Sequence, residues 1–193
     1  MALQFSDLTD GFAGQLLIAS PFITSPLFAQ TVIFLCAHSY QEGAMGIIIN
    51  RHLTKPTPEE LLQQLGISPF PQNAHFSISA GGPVENAHGL VLHSADWDTN
   101  GCIAVTDTVK LNASLDILRD LSSGQGPKQA LLALGHANWA PGQLEEEIKN
   151  NIWHLAPSNE SILFDSHFTK KWRTALQSIH IDPSKLSYLS GQS

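Results

Sequence analysis

The chain has 193 residues, enough for one domain that buries roughly 70% of the surface its unfolded form exposes. Hydrophobic residues make up 42% and charged residues only 14%, which excludes a disordered chain. The formal net charge of −7 excludes a broad electrostatic footprint for phosphate backbones.

Residues 1–13 read as a lead-in. Leu16–Ala19 is a short apolar run stopped by Ser20-Pro21, and it predicts a strand. Phe22 to Pro26 predicts a loop. Thr31 to Ala37 is β-branched, aromatic and nearly free of polar groups, as expected of a strand buried on both faces. Gln41-Glu42-Gly43 turns the chain into a second buried strand, Gly46 to Asn50, so the two predict a hairpin. Thr57-Pro58-Glu59-Glu60 announces a helix: Thr57 as N-cap, Pro58 in the first turn, Glu60 closing a capping box. Leu61, Leu62 and Leu65 give its apolar face and Gly66 its stop. Ser68 to Asn73 predicts a loop.

Phe76 to Ser79 and Gly89 to His93 predict strands on either side of Gly81-Gly82-Pro83, and Ile103 to Val105 another. Leu115, Leu118 and Leu121 stand at helical spacing within 112–121, and Ser122-Ser123-Gly124 ends that helix. Ala130 to Leu134 lies between breakers and predicts a buried strand. Pro141 opens a helix whose early acids, Glu145 to Glu147, suit the positive end of its dipole. Phe168 to Ile179 is the last helix, and residues 183–193 form a loose tail. Without repeat or linker, residues 1–193 are one domain. An early hairpin with helices gathered later argues for α+β architecture.

Recognisable chemistry is sparse. No serine sits in a Gly-x-Ser-x-Gly turn. Gly124-Gln125-Gly126 lacks a third glycine and leads into a strand, so it is not a dinucleotide turn. Two metal ligands on one helix face need a spacing of three or four. His88 and His93 are five apart, so neither a metal nor a cofactor is expected. His38, just past a strand, is a candidate acid or base, with a polar strand cap as the plainer explanation. Cys36 and Cys102 lie in apolar runs outside any Cys-x-x-Cys pair. Unpaired thiols, no signal segment and no 20-residue apolar span predict a cytoplasmic protein away from membranes. The one dense basic run, Lys170, Lys171 and Arg173, predicts a solvated helix face. Upstream of residue 168 six basic residues face sixteen acidic ones, which disfavours direct nucleic-acid binding.

Two stretches stand out. Gly81-Gly82-Pro83-Val84 could form a backbone anion nest or a tight turn that brings two strands together. Gly135 to Glu145 packs a strand end, a Trp-bearing turn and a helix start into eleven residues. Its free amides could meet an anionic group, or Trp139 could lock helix to sheet.

These stretches belong to an ordered set. It runs Gly14 to Ala19 with Pro21, Phe28, Thr31-Val32, His38, Gly43-Ala44 with Gly46, and Ile49-Asn50-Arg51. It continues through Gly81 to Val84, Leu92-His93, Leu134-Gly135, Trp139, Gly142 to Glu145 and Glu147. It ends at Asn151, Trp153, Leu163-Phe164-Asp165 and Trp172. In this the chain resembles the YqgE/AlgH family of bacterial proteins over roughly residues 11–180. It departs at His136, where a tyrosine-like aromatic is expected. The resemblance implies helices segregated on a bent, mostly antiparallel, partly barrel-like sheet, a cytoplasmic location and a role proposed in transcriptional regulation. It supplies no catalytic residues.

The expectation is therefore a non-enzymatic regulatory or interaction protein, its protein partner or small ligand unidentified. Its groove would be formed by Asn50, Arg51, Gly81, Gly82, Pro83, His93, Trp139 and Gln143. The alternative is a small-molecule enzyme that uses His38 or His93 as acid or base.

Overall fold

A computed structural model describes residues 11–68 and 76–183. The expected lead-in over 1–10, the expected loop from 69 onward and the tail from 184 lie outside the described residues. The strands are β1 (Gln15–Ala19), β2 (Val32–Ser39), β3 (Gly43–Ile48), β4 (Phe76–Ala80), β5 (Val84–Ser94), β6 (Ile103–Ala104), β7 (Val109–Asn112), β8 (Ala130–Trp139) and β9 (Trp153–Pro157). The helices are α1 (Pro58–Gln64), α2 (Leu115–Ser123), α3 (Gln143–Lys149), α4 (Glu160–Leu163) and α5 (Phe168–Ser178). The fold is α+β: helices pack against one curled, mostly antiparallel, half-barrel sheet. Its strand order is β6-β7-β5-β8-β3-β2-β1-β9, and β4 lies parallel to β8.

The alternation of side chains along a strand explains why β1 and β2 are apolar throughout. Leu16, Ile18, Val32 and Phe34 face a cluster closed by Trp172, Ala175 and Leu176 of α5. Leu17, Ile33 and Leu35 face the other way, toward Leu144 of α3 and Trp153. A third cluster gathers Leu62 of α1 and Ile117 and Leu118 of α2 over Val91 and Leu132. The expected capping box of α1 is present, with Thr57 Oγ1 accepting from the Glu60 amide and the Glu60 carboxylate accepting from Thr57 N.

β8 joins the two halves of the sheet. Residues 130–134 pair with both β4 and β5, and residues 137–139 pair with β3. The turn occurs at Gly135, whose φ of 77° lies in the left-handed region. The corner between β4 and β5 passes directly over it. A Cβ on Gly82 would stand 2.2 Å from the carbonyl carbon of His136, and one on Gly135 would stand 2.5 Å from the Gly82 oxygen. The glycines thus permit a backbone-to-backbone crossing.

Several expectations are corrected. The Trp-bearing stretch after Gly135 continues β8, because β3 offers it a pairing edge. Asn112 ends a strand: its Oδ1 accepts from Ser114 N at 2.7 Å, which delays the helix to Leu115. β3 starts at Gly43 and ends before Ile49-Asn50. Strands β7 and β9 and the single-turn α4 went unforeseen.

The basic run is corrected most sharply. Lys171 is 1% exposed. Its Nζ donates to the carbonyls of Ile49 (3.0 Å) and Leu163 (2.8 Å) and sits 4.6 Å from the Phe168 ring centroid. Carbonyls left over where β3 and α4 end need donors, and a long amine on α5 reaches both. Only Lys170 and Arg173 of the run remain exposed.

Candidate functional site

The segment between β1 and β2 has no strand of its own and is held from across the sheet. As the chain leaves β3, Asn50 Oδ1 accepts from Val32 N and its Nδ2 donates to the Gln30 carbonyl, both at 2.8 Å. The Arg51 guanidinium donates to the carbonyls of Ala29 (2.8 Å) and Pro26 (3.2 Å). Arg51 is itself anchored, its carbonyl accepting from Ala80 N at 2.8 Å. Three hydrogen bonds, to Pro26, Ala29 and Gln30, therefore place a loop that has little secondary structure, and with it Ile23, Ser25 and Phe28.

Those three residues form one wall of a cavity of about 260 Å³. Pro83 and Val84, the end of β8, Trp153, and Gln143 and Glu147 of α3 line the rest. Glu147 is the only charged side chain among the described residues lining it. Its Oε2 accepts from the indole nitrogens of Trp139 (2.9 Å) and Trp153 (2.7 Å), and its Oε1 from Gln143 Nε2 (2.8 Å). The Gln143 Oε1 in turn accepts from Ala140 N at 3.0 Å, which orients the amide. The rings pack edge to face, Trp139 against Trp153 at 6.1 Å and Phe28 against Trp153 at 5.8 Å. The result is a small aromatic chamber with one carboxylate, held by neutral donors and with no basic partner among the described residues.

Of the residues singled out in the sequence, Pro83, Trp139 and Gln143 line this cavity. Asn50 and Arg51 hold its loop wall, and Gly81 and Gly82 bring Pro83 to its place over β8. His93 stands apart. It is fully buried on β5, edge-on to Trp97, with Nδ1 donating to the Ser94 carbonyl at 2.9 Å and Nε2 3.8 Å from Cys102 Sγ. Cys102 itself is partly exposed.

His38 is fully enclosed as well. Its Nδ1 accepts from Phe12 N at 3.2 Å, so Nε2 carries the proton and donates to Glu145 Oε1 at 2.8 Å. Both ring nitrogens are engaged in tying β2 to α3 and to the chain before β1, a structural arrangement.

Phe28, Glu147 and Trp153 were within the family-like pattern but were not singled out as site residues. The available signal was the spacing of four between Gln143 and Glu147, which places an amide and a carboxylate on one helix face. Trp153 lies on an edge strand that the sequence did not announce. Among the described residues no group of three or more His, Cys, Asp or Glu converges as a metal centre requires, and no helix is long and apolar enough to cross a membrane.

The family pattern that matches, described as AlgH-like, covers residues 16–184. A UPF0301 protein of Gluconobacter oxydans is 51% identical over 183 residues, covering 94% of this chain and 98% of its own. A UPF0301 protein of Rhodospirillum rubrum is 42% identical and covers 92% of each chain. The solution structure of the AlgH protein from Pseudomonas aeruginosa superposes with a TM-score of 0.74, at 33% identity over 97% of each chain. A Corynebacterium diphtheriae protein, 21% identical over 89% of each chain, shares the fold with a TM-score of 0.70.

Proposed function

Because the chain belongs to the AlgH-like family, which brings a fold but no reaction, we propose from its own geometry that it is a non-enzymatic binding protein of the cytoplasm. Its ligand is a small organic cation, such as a quaternary or secondary ammonium group, seated between Trp139, Trp153 and Phe28. The observation that carries this is the unpaired charge of Glu147 inside an aromatic chamber. Aromatic faces attract a cation by about 0.5–2 kcal/mol, more when it is desolvated. A carboxylate whose hydrogen-bond donors are all neutral adds a Coulombic share that a neutral guest does not receive. The regulatory role is then a protein-mediated one, with the bound cation as signal. The burial of Lys171 supports this, since it removes one cation from the only basic run.

Tryptophan fluorescence and calorimetry with tetramethylammonium, choline and the neutral isostere 3,3-dimethylbutanol test the proposal. The cations should bind and quench, and the isostere should bind at least ten-fold more weakly. Glu147→Gln, which keeps an oxygen for the indoles, should erase that difference. Equal affinity for cation and isostere in the unaltered protein would overturn the assignment.

A further inference from the structure

His93, left outside the aromatic chamber, belongs to a second constellation. Asn112 Nδ2 donates to Cys102 Sγ at 3.2 Å, and His93 Nε2 stands 3.8 Å from the same sulfur. The tautomer of His93 follows from its other contact. A carbonyl only accepts, so Nδ1 carries the proton toward Ser94, and Nε2 presents a lone pair to the thiol. Burial above all holds His93 below the ordinary histidine range, and Lys110 pushes the same way. The Ser94 carbonyl, Asp96 and Asp98 oppose them. The ring is thus neutral at neutral pH and able to receive a proton. Asp98, held by Lys110 at 2.9 Å, is a second hydrogen-bond partner of the Cys102 thiol. A nucleophile, a base and a carbonyl that orients the base are the parts of an activated thiol.

The surroundings place an apolar hollow beside this thiol. The residues on either side of Cys102, Gly101 and Ile103, together with Asn112, form part of the wall of a cavity of about 580 Å³. Its lining is mostly aliphatic, from Leu61, Leu90, Leu118 and Leu132 among others. Ser114 is in the same wall, and its Oγ is shielded from water with no hydrogen-bond partner among the described residues. A mostly apolar hollow with the Asn112 amide on its wall suits a molecule with an alkyl body and a polar oxygen.

We infer that Cys102 is a modification site for apolar α,β-unsaturated aldehydes or ketones, with His93 as the base and the aliphatic cavity holding the alkyl chain. Sγ bonds to the β-carbon as its proton passes to His93 Nε2. The C=C pair shifts to give an enolate, and His93 returns the proton to the α-carbon. Every atom of the electrophile is retained, nothing leaves and no oxidant is needed. Cys36 does not compete, because full burial raises its thiol far above the usual range.

The probe is trans-2-nonenal added to the full chain, with the adduct locked by borohydride and followed by intact mass and peptide mapping. Cys102 should be the modified thiol, at least ten-fold faster than a free alkyl thiol under the same conditions. Acrolein, which lacks the chain, should show no such advantage. That comparison needs no variant and isolates the cavity. His93→Gln, with folding checked by circular dichroism, should slow the nonenal reaction at least ten-fold. Adduct formation no faster than with the free thiol, an equal advantage for acrolein, modification of Cys36 instead, or an unchanged rate in folded His93→Gln would each overturn the inference.

Discussion

A single lysine shows how far a residue's neighbours can reverse its usual meaning. Lys171 carries a charge into the core, and burial lowers its pKa from an ordinary 10.5 to about 8, with Asp165 opposing. Between those two values the unfolded amine holds a proton that the folded amine has lost. Below about pH 8 the full penalty is present, and above about 10.5 it is gone, so stability rises with pH across that window. The span corresponds to roughly 3 kcal/mol. Chemical denaturation of the protein and of Lys171→Met across this range should show the difference between them moving in favour of the unaltered protein as pH rises. The buried Cys36 thiol contributes with the opposite sign, since the unfolded thiol loses its proton first, but it is common to both proteins and cancels in the difference. From sequence alone Lys171 could not be told from Lys170. The two differ only in which side of α5 meets the carbonyls of Ile49 and Leu163, and that depends on where β3 stops.

Among elements, the crossing of the β4–β5 corner over β8 sets backbone directly against backbone. Gly82→Ala forces a methyl into the His136 carbonyl and should cost about 2–4 kcal/mol in urea unfolding, with loss of the cavity wall at Pro83. The tie between β2 and α3 is weaker. Glu145→Ala leaves the buried Nε2–H of His38 without its acceptor and should cost about 1–3 kcal/mol, and Glu145→Gln, which retains an acceptor oxygen, should recover more than half of this. Elements with strong local signals were legible: α1 through its capping box, β2 through its unbroken apolar run, the hairpin through its short turn. Elements made by their partners were not. The second half of β8 looks like a turn until β3 is beside it. Asn112 continues an apparent helix until its side chain caps the next turn instead. The chamber was half legible for the same reason: Pro83, Trp139 and Gln143 drew notice as unusual local chemistry, whereas Phe28 and Trp153 reach it only through the placement of a loop and an edge strand.

In the whole molecule β8 is the central member. It has strand partners along nearly its full length, whereas β6, at one edge, spans two residues. Hydrogen exchange should therefore find its slowest amides at Leu131 to Ala133 and in the facing part of β5, and its fastest strand amides in β6. Exchange that is slowest in β1 and β9 would contradict this ordering. The binding chamber, by contrast, takes one wall from a loop held by three side-chain hydrogen bonds from Asn50 and Arg51. Arg51→Ala should lower affinity for tetramethylammonium several-fold, with the unfolding midpoint changed by less than that of Gly82→Ala.

The bend at Gly135 leaves one ribbon of backbone underlying two different hollows. Leu132 and Leu134 form part of the aliphatic one, and Ala137, Asn138 and Trp139 part of the aromatic one. From Leu134 to Ala137 is about 10 Å along the chain. Whatever lodges in either hollow presses on the same short span, and that span cannot shift sideways because the Gly82 corner lies on top of it. A guest in one hollow is therefore a neighbour of a guest in the other, with the same ribbon between them.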